Sequence, residues 1–322
     1  MAQPRKQNTA NIQRAILFIN SKKGIARVLE KEIKEELASQ NIDIHLYSYK
    51  GKQAFPTQEG YDIAFSLGGD GTVLSAARTM SPLGVPVFPI NLGTFGFIAG
   101  VHPNEWKTVF AGWQQGTALI SRRLMLEITV ERNNSEILKG CCLNEVVISS
   151  SAFAKIIGLR VSYSETGREG LMKLGSYRSD GLIVSTPTGS TAHSMAAGGP
   201  ILDPELEALI LNPICPFTLS HRPMVFPAED TVLVEVEEGQ RSGIILTADG
   251  QVTEKLKEGD KVFLKKTPYQ CLLVASGRLS FYQALKTKLG WTGGGEEDSE
   301  RPEGKAKKSA FRNVKKGGFP HA

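Results

Sequence analysis

The chain has 322 residues, a hydrophobic content of 41% and a charged content of 22%, which are ordinary values for a globular protein of two domains. Its net charge is +5, but the first fourteen residues carry +3 and residues 292–322 carry +2, so the remainder is neutral and lacks the basic surface of a specific nucleic-acid binder. No apolar run approaches the ~18 residues of a membrane span, and no secretory signal is recognisable. The four cysteines include no Cys-x-x-Cys pair, which favours reduced thiols in a cytoplasmic protein.

The first 120 residues alternate between strand-like and helix-like patterns. Apolar runs predict strands at residues 15–20, 42–47, 62–67 and 85–90, the last with Pro86 and Pro89 at its margins. Helical spacing predicts helices at residues 72–80, at 104–113, and through Ile25, Val28, Leu29, Ile33 and Leu37. Such alternation favours a parallel sheet covered by helices, with its ligand crevice at the carboxyl ends of the strands.

Two glycine-rich loops follow predicted strands, GGDGT at 68–72 and NLGTFGF at 91–97. Glycines let the backbone approach a phosphate closely, and Thr72 is predicted to cap a helix whose N-terminus favours anions. Asp70 places a carboxylate where phosphate is expected, which suits a metal ligand or a base that accepts a hydroxyl proton. By itself, the loop also fits a simple Asp-Gly turn.

Short strand-like segments replace the helices after residue 120. They lie at residues 124–131, 137–149, 156–163, 182–185, 232–237, 243–247, 261–264 and 271–275, with a turn at Asn133-Asn134. The pattern predicts a β-sandwich. The expected organisation is a flexible N-terminus at 1–14, an α/β nucleotide-binding domain at 15–120, a β-sandwich at 121–275, a helical segment at 276–291 that returns to the first domain, and a disordered basic tail at 292–322.

A second polar segment begins at Arg178-Ser179-Asp180-Gly181 and continues after a strand as TPTGSTAHS at 186–194. Its dense hydroxyls and small residues predict a polar pocket for a flat ring or a phosphate. A Ser/Thr-rich turn is the alternative, although a solvated turn does not need the arginine and aspartate immediately upstream.

Six motifs together resemble the NAD kinase family, in the family's order, over residues 15–275. They are GGDGT at 68–72, NLGTFGF at 91–97, NEVVIS at 144–149, SDGLIVSTPTGSTAHSMAAGGP at 179–200, HRPMVFP at 221–227 and DGQ at 249–251. GGDGT alone also resembles diacylglycerol-type lipid kinases and phosphofructokinases, and the segment at 179–200 with Asn144-Glu145 separates them. The resemblance implies a Rossmann-like, phosphofructokinase-like parallel α/β domain followed by a β-sandwich domain, with the site in the crevice between them.

The resemblance also implies the reaction, which is phosphoryl transfer from ATP, or from polyphosphate, to the 2′-hydroxyl of the adenosine ribose of NAD, giving NADP. Mg²⁺ is expected as a cofactor because ATP is used as its metal complex, while the metal ligands are not assigned. A homo-oligomer, dimer or tetramer, is implied as well. Two alternatives stay open: a lipid kinase of the same superfamily, and a non-catalytic NAD(P)-binding sensor that uses its basic tail to bind a partner.

Asp70 is implied to be the catalytic base, with Gly68, Gly69 and Thr72 in the phosphate loop. The residues implied to bind NAD are Asp70, Gly71, Phe97, Asn144, Glu145, Lys155, Arg178, Asp180, Thr191, Ala192, His193, Ser194, Met195, Ala196 and Gln251. Phe97 suits stacking on adenine, and the Asn144-Glu145 pair suits the hydroxyls of a ribose. The family usually has tyrosine at the position of His193, so an altered affinity for NAD or an altered pH response is expected.

Overall fold

The computed structural model describes residues 12–19, 24–48, 60–93, 96–98, 100–165, 170–275 and 281–290. The predicted tail at 292–322 and the predicted flexible N-terminus up to residue 11 lie outside these residues. Within the described parts, none of the helices combines the length and the apolar character that crossing a bilayer requires.

Four parallel strands form one end of the larger of two sheets. They are β1 (Arg14–Ile19), β2 (Asp43–Ser48), β3 (Ile63–Gly68) and β4 (Val87–Asn91), in the spatial order β2-β1-β3-β4. Helices α1 (Gly24–Ser39) and α3 (Trp106–Gln114) share a core with one face of these strands, and α2 (Asp70–Met80) shares a core with the other. β1, β3 and β4 are buried on both faces and read as continuous apolar runs, whereas β2 is an edge strand with exposed residues. All four strands and the three helices were predictable to within two residues at most ends.

Three details of this half differ from the predictions. In α1, Ile25 and Val28 are 54% and 70% exposed, because the buried stripe consists of Ala26, Leu29, Ile33 and Leu37. The prediction of Thr72 as a helix cap is wrong, since α2 begins at Asp70 and places Thr72 third in the helix. Pro89 lies inside β4, where its carbonyl accepts a hydrogen bond from the N–H of Val101 at 3.1 Å.

After α3 the chain is almost entirely β-structure. The strands are β5 (Leu119–Arg132), β6 (Ser135–Cys142), β7 (Glu145–Ser150), β8 (Ile157–Ser164), β9 (Met172–Ser179), β10 (Gly181–Ser185), β11 (Ala208–Ile214), β12 (Met224–Pro227), β13 (Thr231–Val236), β14 (Ile244–Ala248), β15 (Val252–Leu256) and β16 (Lys261–Ala275). The larger sheet continues from β4 through β16, β13, β8 and β9, with β5 and β6 beside β16. The second sheet has the order β12-β11-β10-β7-β14-β15, and alternate side chains of both sheets share one apolar core.

β16 connects the two halves of the larger sheet. It pairs antiparallel with β5 along most of its length and parallel with β4, with Leu273 opposite Val87. Its carboxyl end therefore points toward the same edge of the sheet as the carboxyl ends of β3 and β4. This edge is where ligands of parallel sheets bind.

The remaining strand predictions need correction. Strands β9, β11, β12 and β15 were not predicted, residues 137–149 form two strands, and the segments 261–264 and 271–275 are the ends of the single strand β16. The turn at Asn133-Asn134 is confirmed, with positive φ angles of 52° and 60°. Helix α5 (Phe281–Leu289) lies within the segment 276–291 that was predicted to be helical. Residues up to Ala284 form one compact unit, and the division of the chain near residue 120, one residue after β5 begins, stays a prediction.

Candidate active site

Asp70 is the first residue of α2, directly after the two glycines that lead from β3 into the helix. Its Oδ2 accepts a hydrogen bond from the backbone N–H of Phe97 at 3.3 Å. A Cβ on Gly96 would lie 1.8 Å from Asp70 Oδ1, so only glycine fits beside this carboxylate. The structure therefore brings the predicted residues Asp70 and Phe97 together.

The other residues of this loop have distinct positions. A Cβ on Gly68 would lie 2.1 Å from Thr72 Oγ1, so the glycine lets α2 begin close against the end of β3. Thr72 is buried, and its N–H donates to the carbonyl of Gly69 at 2.9 Å. Gly71 is exposed beside Asp70. A ligand at this loop would meet the first turn of α2, where helical N–H groups favour negative charge.

Arg78 connects α2 with the DGQ turn. Its Nη1 donates to Asp249 Oδ2 at 2.8 Å in a buried ion pair, and its Nη2 donates to Gln251 Oε1. Gln251 in turn donates from Nε2 to the carbonyl of Gly71 at 2.7 Å. The predicted residues Gly71 and Gln251 are therefore in direct contact, within a ring of hydrogen bonds closed by Arg78, which sequence analysis did not select.

The same Asp249 carboxylate fixes the chain at Asn144. Its Oδ2 accepts the N–H of Leu143 at 3.1 Å, and its Oδ1 accepts the N–H of Asn144 at 2.8 Å. Asp249 and Gly250 have φ angles of 50° and 65°, which form the tight turn that aims this carboxylate inward. Asn144 and its neighbour Glu145 are thus anchored to α2 through Asp249 and Arg78.

Asn144 and Glu145 each hold a buried acceptor atom without a hydrogen-bond partner among the described residues, Asn144 Oδ1 and Glu145 Oε2. Such an unsatisfied atom costs ~1–3 kcal/mol, which a ligand with hydroxyl or amide donors would recover. Burial, and to a smaller extent the Asp249 carboxylate, raise the pKa of Glu145 to about 8 against the opposing effect of the backbone N–H of His193. In the free protein at pH 7 the Glu145 carboxyl is therefore mostly protonated and able to donate a hydrogen bond.

Residues 186–196 pack against Asn144. A 3-10 helix (Thr188–Thr191) leads into the short helix α4 (His193–Ala196). The Thr186 hydroxyl donates to the carbonyl of Leu143 at 2.6 Å, and a Cβ on Gly189 would lie 2.2 Å from the carbonyl oxygen of Asn144. The predicted segment and the Asn144-Glu145 pair therefore form one cluster.

Five hydroxyls in or next to this segment are satisfied within the protein, whereas the buried Thr188 Oγ1 has no hydrogen-bond partner among the described residues. The five are those of Ser185, Thr186, Ser190, Thr191 and Ser194, which are all buried. For example, Asn212 donates from Nδ2 to the carbonyl and the hydroxyl of Ser194, at 2.9 and 3.2 Å. The side chains that the segment presents outward are half-buried or exposed, namely Ala192, His193, Met195 and Ala196.

Asp180 lies at the opposite end of this structure. β10 pairs antiparallel with β7, with Ser185 opposite Glu145 and Gly181 opposite Ser149. Asp180 precedes Gly181, so it is five residues, roughly 17 Å, from the end of β7 that carries Glu145. Asp180 is therefore close to the segment at 186–194 in the sequence but not in space.

Lys155 and Arg178 lie at the Asp180 end as well. Lys155 and Asp180 line one cavity of about 390 Å³, beside the fully exposed ring of Phe153. The Arg178 guanidinium carbon lies 5.8 Å from the centre of the Phe217 ring. The structure therefore divides the predicted set into a group around Asp70 and Glu145 and a second group around Asp180. Among the described residues, no three His, Cys, Asp or Glu side chains are grouped as a metal site.

A carboxylate in a glycine loop at the carboxyl edge of a parallel sheet, linked to a buried Asn-Glu pair, defines a nucleotide-binding α/β protein. Family models of the ATP-NAD kinase N-terminal domain and C-terminal domain match residues 2–117 and 143–276. The NAD kinase of Treponema denticola is 41% identical over 283 residues, which cover 88% of this chain and 98% of the relative. The NAD kinase of Aquifex aeolicus is 38% identical over 87% of this chain and 100% of its own length. The chain belongs to the NAD kinase family, as its motifs predict.

Two solved structures share the fold. A yeast NADH kinase complexed with NADH has a TM-score of 0.76 at 20% identity, over 90% of this chain and 91% of its own. An NAD kinase from Archaeoglobus fulgidus in complex with ATP has a TM-score of 0.66 at 24% identity, over 87% and 99%. The predicted fold class, an α/β part followed by a β-sandwich, is confirmed.

Proposed function

We propose that this chain is an NAD kinase, which transfers a phosphoryl group from ATP to the 2′-hydroxyl of the adenosine ribose of NAD and so forms NADP. Family membership supports the reaction. The observation that carries it is the link from Asp70, through Gly71, Gln251, Arg78 and Asp249, to the unsatisfied acceptors of Asn144 and Glu145. This link holds a base and a ligand-binding pair in a fixed relation.

Asp70 acts as the general base in this proposal. A sugar alcohol is a weak nucleophile, and a positioned carboxylate accepts its proton as the bond to phosphorus forms. Asn144 and Glu145 hold the dinucleotide through hydroxyl or amide groups, and the half-buried Phe97 ring contacts its adenine. The remaining proposed contacts to NAD are Gly71, Lys155, Arg178, Asp180, Thr191, Ala192, His193, Ser194, Met195, Ala196 and Gln251, and the proposed phosphate loop comprises Gly68, Gly69 and Thr72.

ATP is the proposed donor, with polyphosphate as a second candidate, and Mg²⁺ enters bound to the donor because the transferred group carries charge that must be neutralised. A solved relative that contains ATP supports this donor. A homo-oligomer and a cytoplasmic location are proposed as well. The family resemblance supports the first, and the four free cysteines support the second.

The test is an assay of purified protein with NAD, ATP and magnesium, in which an NADP-specific dehydrogenase reports NADP. We expect NADP to form, and Asp70→Asn to lower turnover by about 10²–10⁴, because a general base is lost while NAD binding persists. Asp43→Asn is the matched control, since its carboxylate is 74% exposed and lies on β2, and it should leave turnover unchanged.

Other results would contradict the proposal. Phosphorylation of diacylglycerol in mixed micelles without NADP formation would indicate a lipid kinase. NAD binding without any turnover would indicate a sensor, which has no need of a base at position 70.

A further inference from the structure

We propose that Asn212 is a positioning residue for NAD binding, whose buried side-chain amide holds the short helix α4 in place beneath the site. This role rests on the NAD kinase function proposed above. It belongs to a residue of β11 that acts through Ser194 of α4 instead of touching NAD.

Asn212 is a polar residue on an interior strand of the smaller sheet. β11 lies between β12 and β10, and its residues Leu209 and Leu211 belong to the apolar core of the sandwich. Asn212 is directly opposite Ile183 of β10 and points to the other face of the sheet, where it is fully buried. A polar side chain in such a position is costly unless it is hydrogen-bonded, so its partners indicate its role.

The Asn212 amide reaches the point at which α4 ends. Its Nδ2 donates to the carbonyl of Ser194 at 2.9 Å and to the Ser194 hydroxyl at 3.2 Å. The same carbonyl accepts the N–H of Gly199 at 2.8 Å and the N–H of Ala197 at 3.2 Å. Asn212 Oδ1 has no hydrogen-bond partner among the described residues, so the amide holds α4 through its donor side.

The turn after α4 is closed tightly over this contact. A Cβ on Gly199 would lie 2.3 Å from Ser194 Oγ and 2.7 Å from Asn212 Nδ2, so only glycine lets the chain pass here. α4 has four residues, and such a single turn does not keep its conformation without tertiary contacts. The position of α4 therefore depends on the hydrogen bonds between Asn212 and Ser194.

α4 connects Asn212 with Glu145 across one face of the sheet. Glu145 of β7 and Ile210 of β11 are opposite the same residue of β10, and Ile210 precedes Asn212 by two positions. Because directly paired residues and alternate residues share a face, Glu145 and Asn212 point to the same side of the sheet. On that side Ser194 is bonded to Asn212, and the preceding residue, His193, donates its backbone N–H to the Glu145 carboxyl.

This connection assigns Asn212 to the binding of NAD and not to the binding of ATP or to the chemical step. The His193 N–H engages the Glu145 carboxyl, while Glu145 Oε2 is buried without a partner among the described residues and is available to a ligand. A shift of α4 would turn the carboxyl and misdirect that oxygen. NAD would then bind more weakly, with little change in kcat.

Asn212→Leu tests this role, because leucine keeps the branched shape of asparagine and has no donor. The variant should raise the KM for NAD by about fivefold or more, as expected when a buried hydrogen-bonded contact is broken. It should change kcat and the KM for ATP by less than about twofold, because only the binding of NAD depends on α4.

Leu211→Ala is the matched control, since Leu211 is the preceding residue of β11 and lies in the sandwich core on the opposite face. It should lower stability and leave both KM values within about twofold of the unmodified protein. Circular dichroism at the assay temperature verifies that each variant is folded. An unchanged KM for NAD in Asn212→Leu, or an equal rise in Leu211→Ala, would overturn the role of Asn212.

A glycine variant keeps the test decisive if Asn212→Leu does not fold. Gly199→Ala disturbs the same contact from the turn after α4, because its Cβ would collide with Ser194 Oγ and Asn212 Nδ2. It should raise the KM for NAD several-fold and leave the KM for ATP unchanged. Gly140→Ala is its control, since a Cβ at this position meets open space. Equal KM values for NAD in the two glycine variants would contradict the role of Asn212.

Calorimetric titration with NAD, without ATP, separates a failure of this role from a failure of the kinase function. If the unmodified protein binds NAD but forms no NADP, the kinase function is contradicted. A Kd for NAD that still rises in Asn212→Leu and not in Leu211→Ala then supports the role of Asn212. Normal NADP formation with a KM for NAD that does not respond to Asn212 would contradict this role alone.

Discussion

The burial of one side chain, Glu145, makes the free energy of unfolding depend on pH. The folded protein keeps the Glu145 proton up to a pKa of about 8, while the unfolded chain loses it near the ordinary value of 4.5. Between these values the folded state binds more protons, so the free energy of unfolding falls as pH rises through this window.

Glu145→Gln removes this dependence, because the amide keeps the shape of the carboxyl without its ionisation. We expect the free energy of unfolding of the variant, minus that of the unmodified protein, to rise by roughly 2 kcal/mol between pH 5 and pH 7. The slope of this difference should be at most about 1.4 kcal/mol per pH unit. Urea denaturation without ligands at several pH values measures this difference. Glu238→Gln is the control, because Glu238 is exposed. A pH-independent difference would show that Glu145 ionises normally in the folded state.

His193 places an imidazole where the family usually has tyrosine. The residue is exposed at the start of α4, and its backbone N–H donates a hydrogen bond to the Glu145 carboxyl group. An imidazole changes charge between about pH 5 and pH 8, whereas a tyrosine hydroxyl stays neutral there. We expect His193→Tyr to change the KM for NAD and to flatten its pH dependence over this range, measured by steady-state kinetics, with the KM for ATP as internal control. Identical profiles would show that the substitution at this position is functionally neutral.

At the scale of elements, the ion pair between Arg78 on α2 and Asp249 in the turn between β14 and β15 joins α2 to the β-sandwich. Both side chains are buried, at 6% and 0% exposure. Arg78→Met leaves the Asp249 charge unpaired in the interior, and we expect a loss of about 3–5 kcal/mol in the free energy of unfolding.

A double-mutant cycle separates this pairing from the loss of packing. Arg78→Met with Asp249→Asn should cost clearly less than the sum of the single changes, because the second removes the stranded charge. Urea denaturation of the four proteins measures the coupling. Lys31→Met, which disrupts an exposed pair with Glu35, should change stability little. Additive effects would show that Arg78 and Asp249 contribute independently.

The sequence was most informative about strands that are buried on both faces, and of the edge strands β2, β9, β12 and β15 only β2 was predicted. β3 and β4 are apolar throughout and were predicted, whereas β9, β12 and β15 are edge strands with exposed polar or proline positions. The missed β11 is an interior strand, but Asn212 and Pro213 interrupt its apolar run.

The residues of the candidate site were likewise predictable only in part. Glycine loops and the Asn144-Glu145 pair are readable from local motifs. Arg78 belongs to the site because it pairs with Asp249, which is 171 residues away in the sequence. Gly96 belongs to it because it lies against the Asp70 carboxylate of another loop. No local pattern reports such long-range contacts.

At the scale of the whole molecule, β16 and β5 carry one sheet across the boundary predicted near residue 120. Because residues up to Ala284 form one compact unit, we expect a single cooperative unfolding transition. Trp106 and Trp113 are buried in α3, so their fluorescence reports on the α/β part, while far-UV circular dichroism reports on the whole chain. The third tryptophan, Trp291, lies outside the described residues and is replaced by phenylalanine in the test.

Leu264→Ala tests this cooperativity from the opposite side of the boundary. Leu264 is fully buried in the sandwich core, and its truncation should cost about 2–5 kcal/mol. If the two parts unfold together, the stability lost through Leu264→Ala lowers the urea midpoint for both parts. The midpoint measured by the fluorescence of the tryptophans in α3 then falls by the same amount as the midpoint measured by circular dichroism. A fluorescence midpoint that does not move, with a two-step circular dichroism curve, would show that the segments 15–120 and 121–275 unfold independently despite the strands that join them.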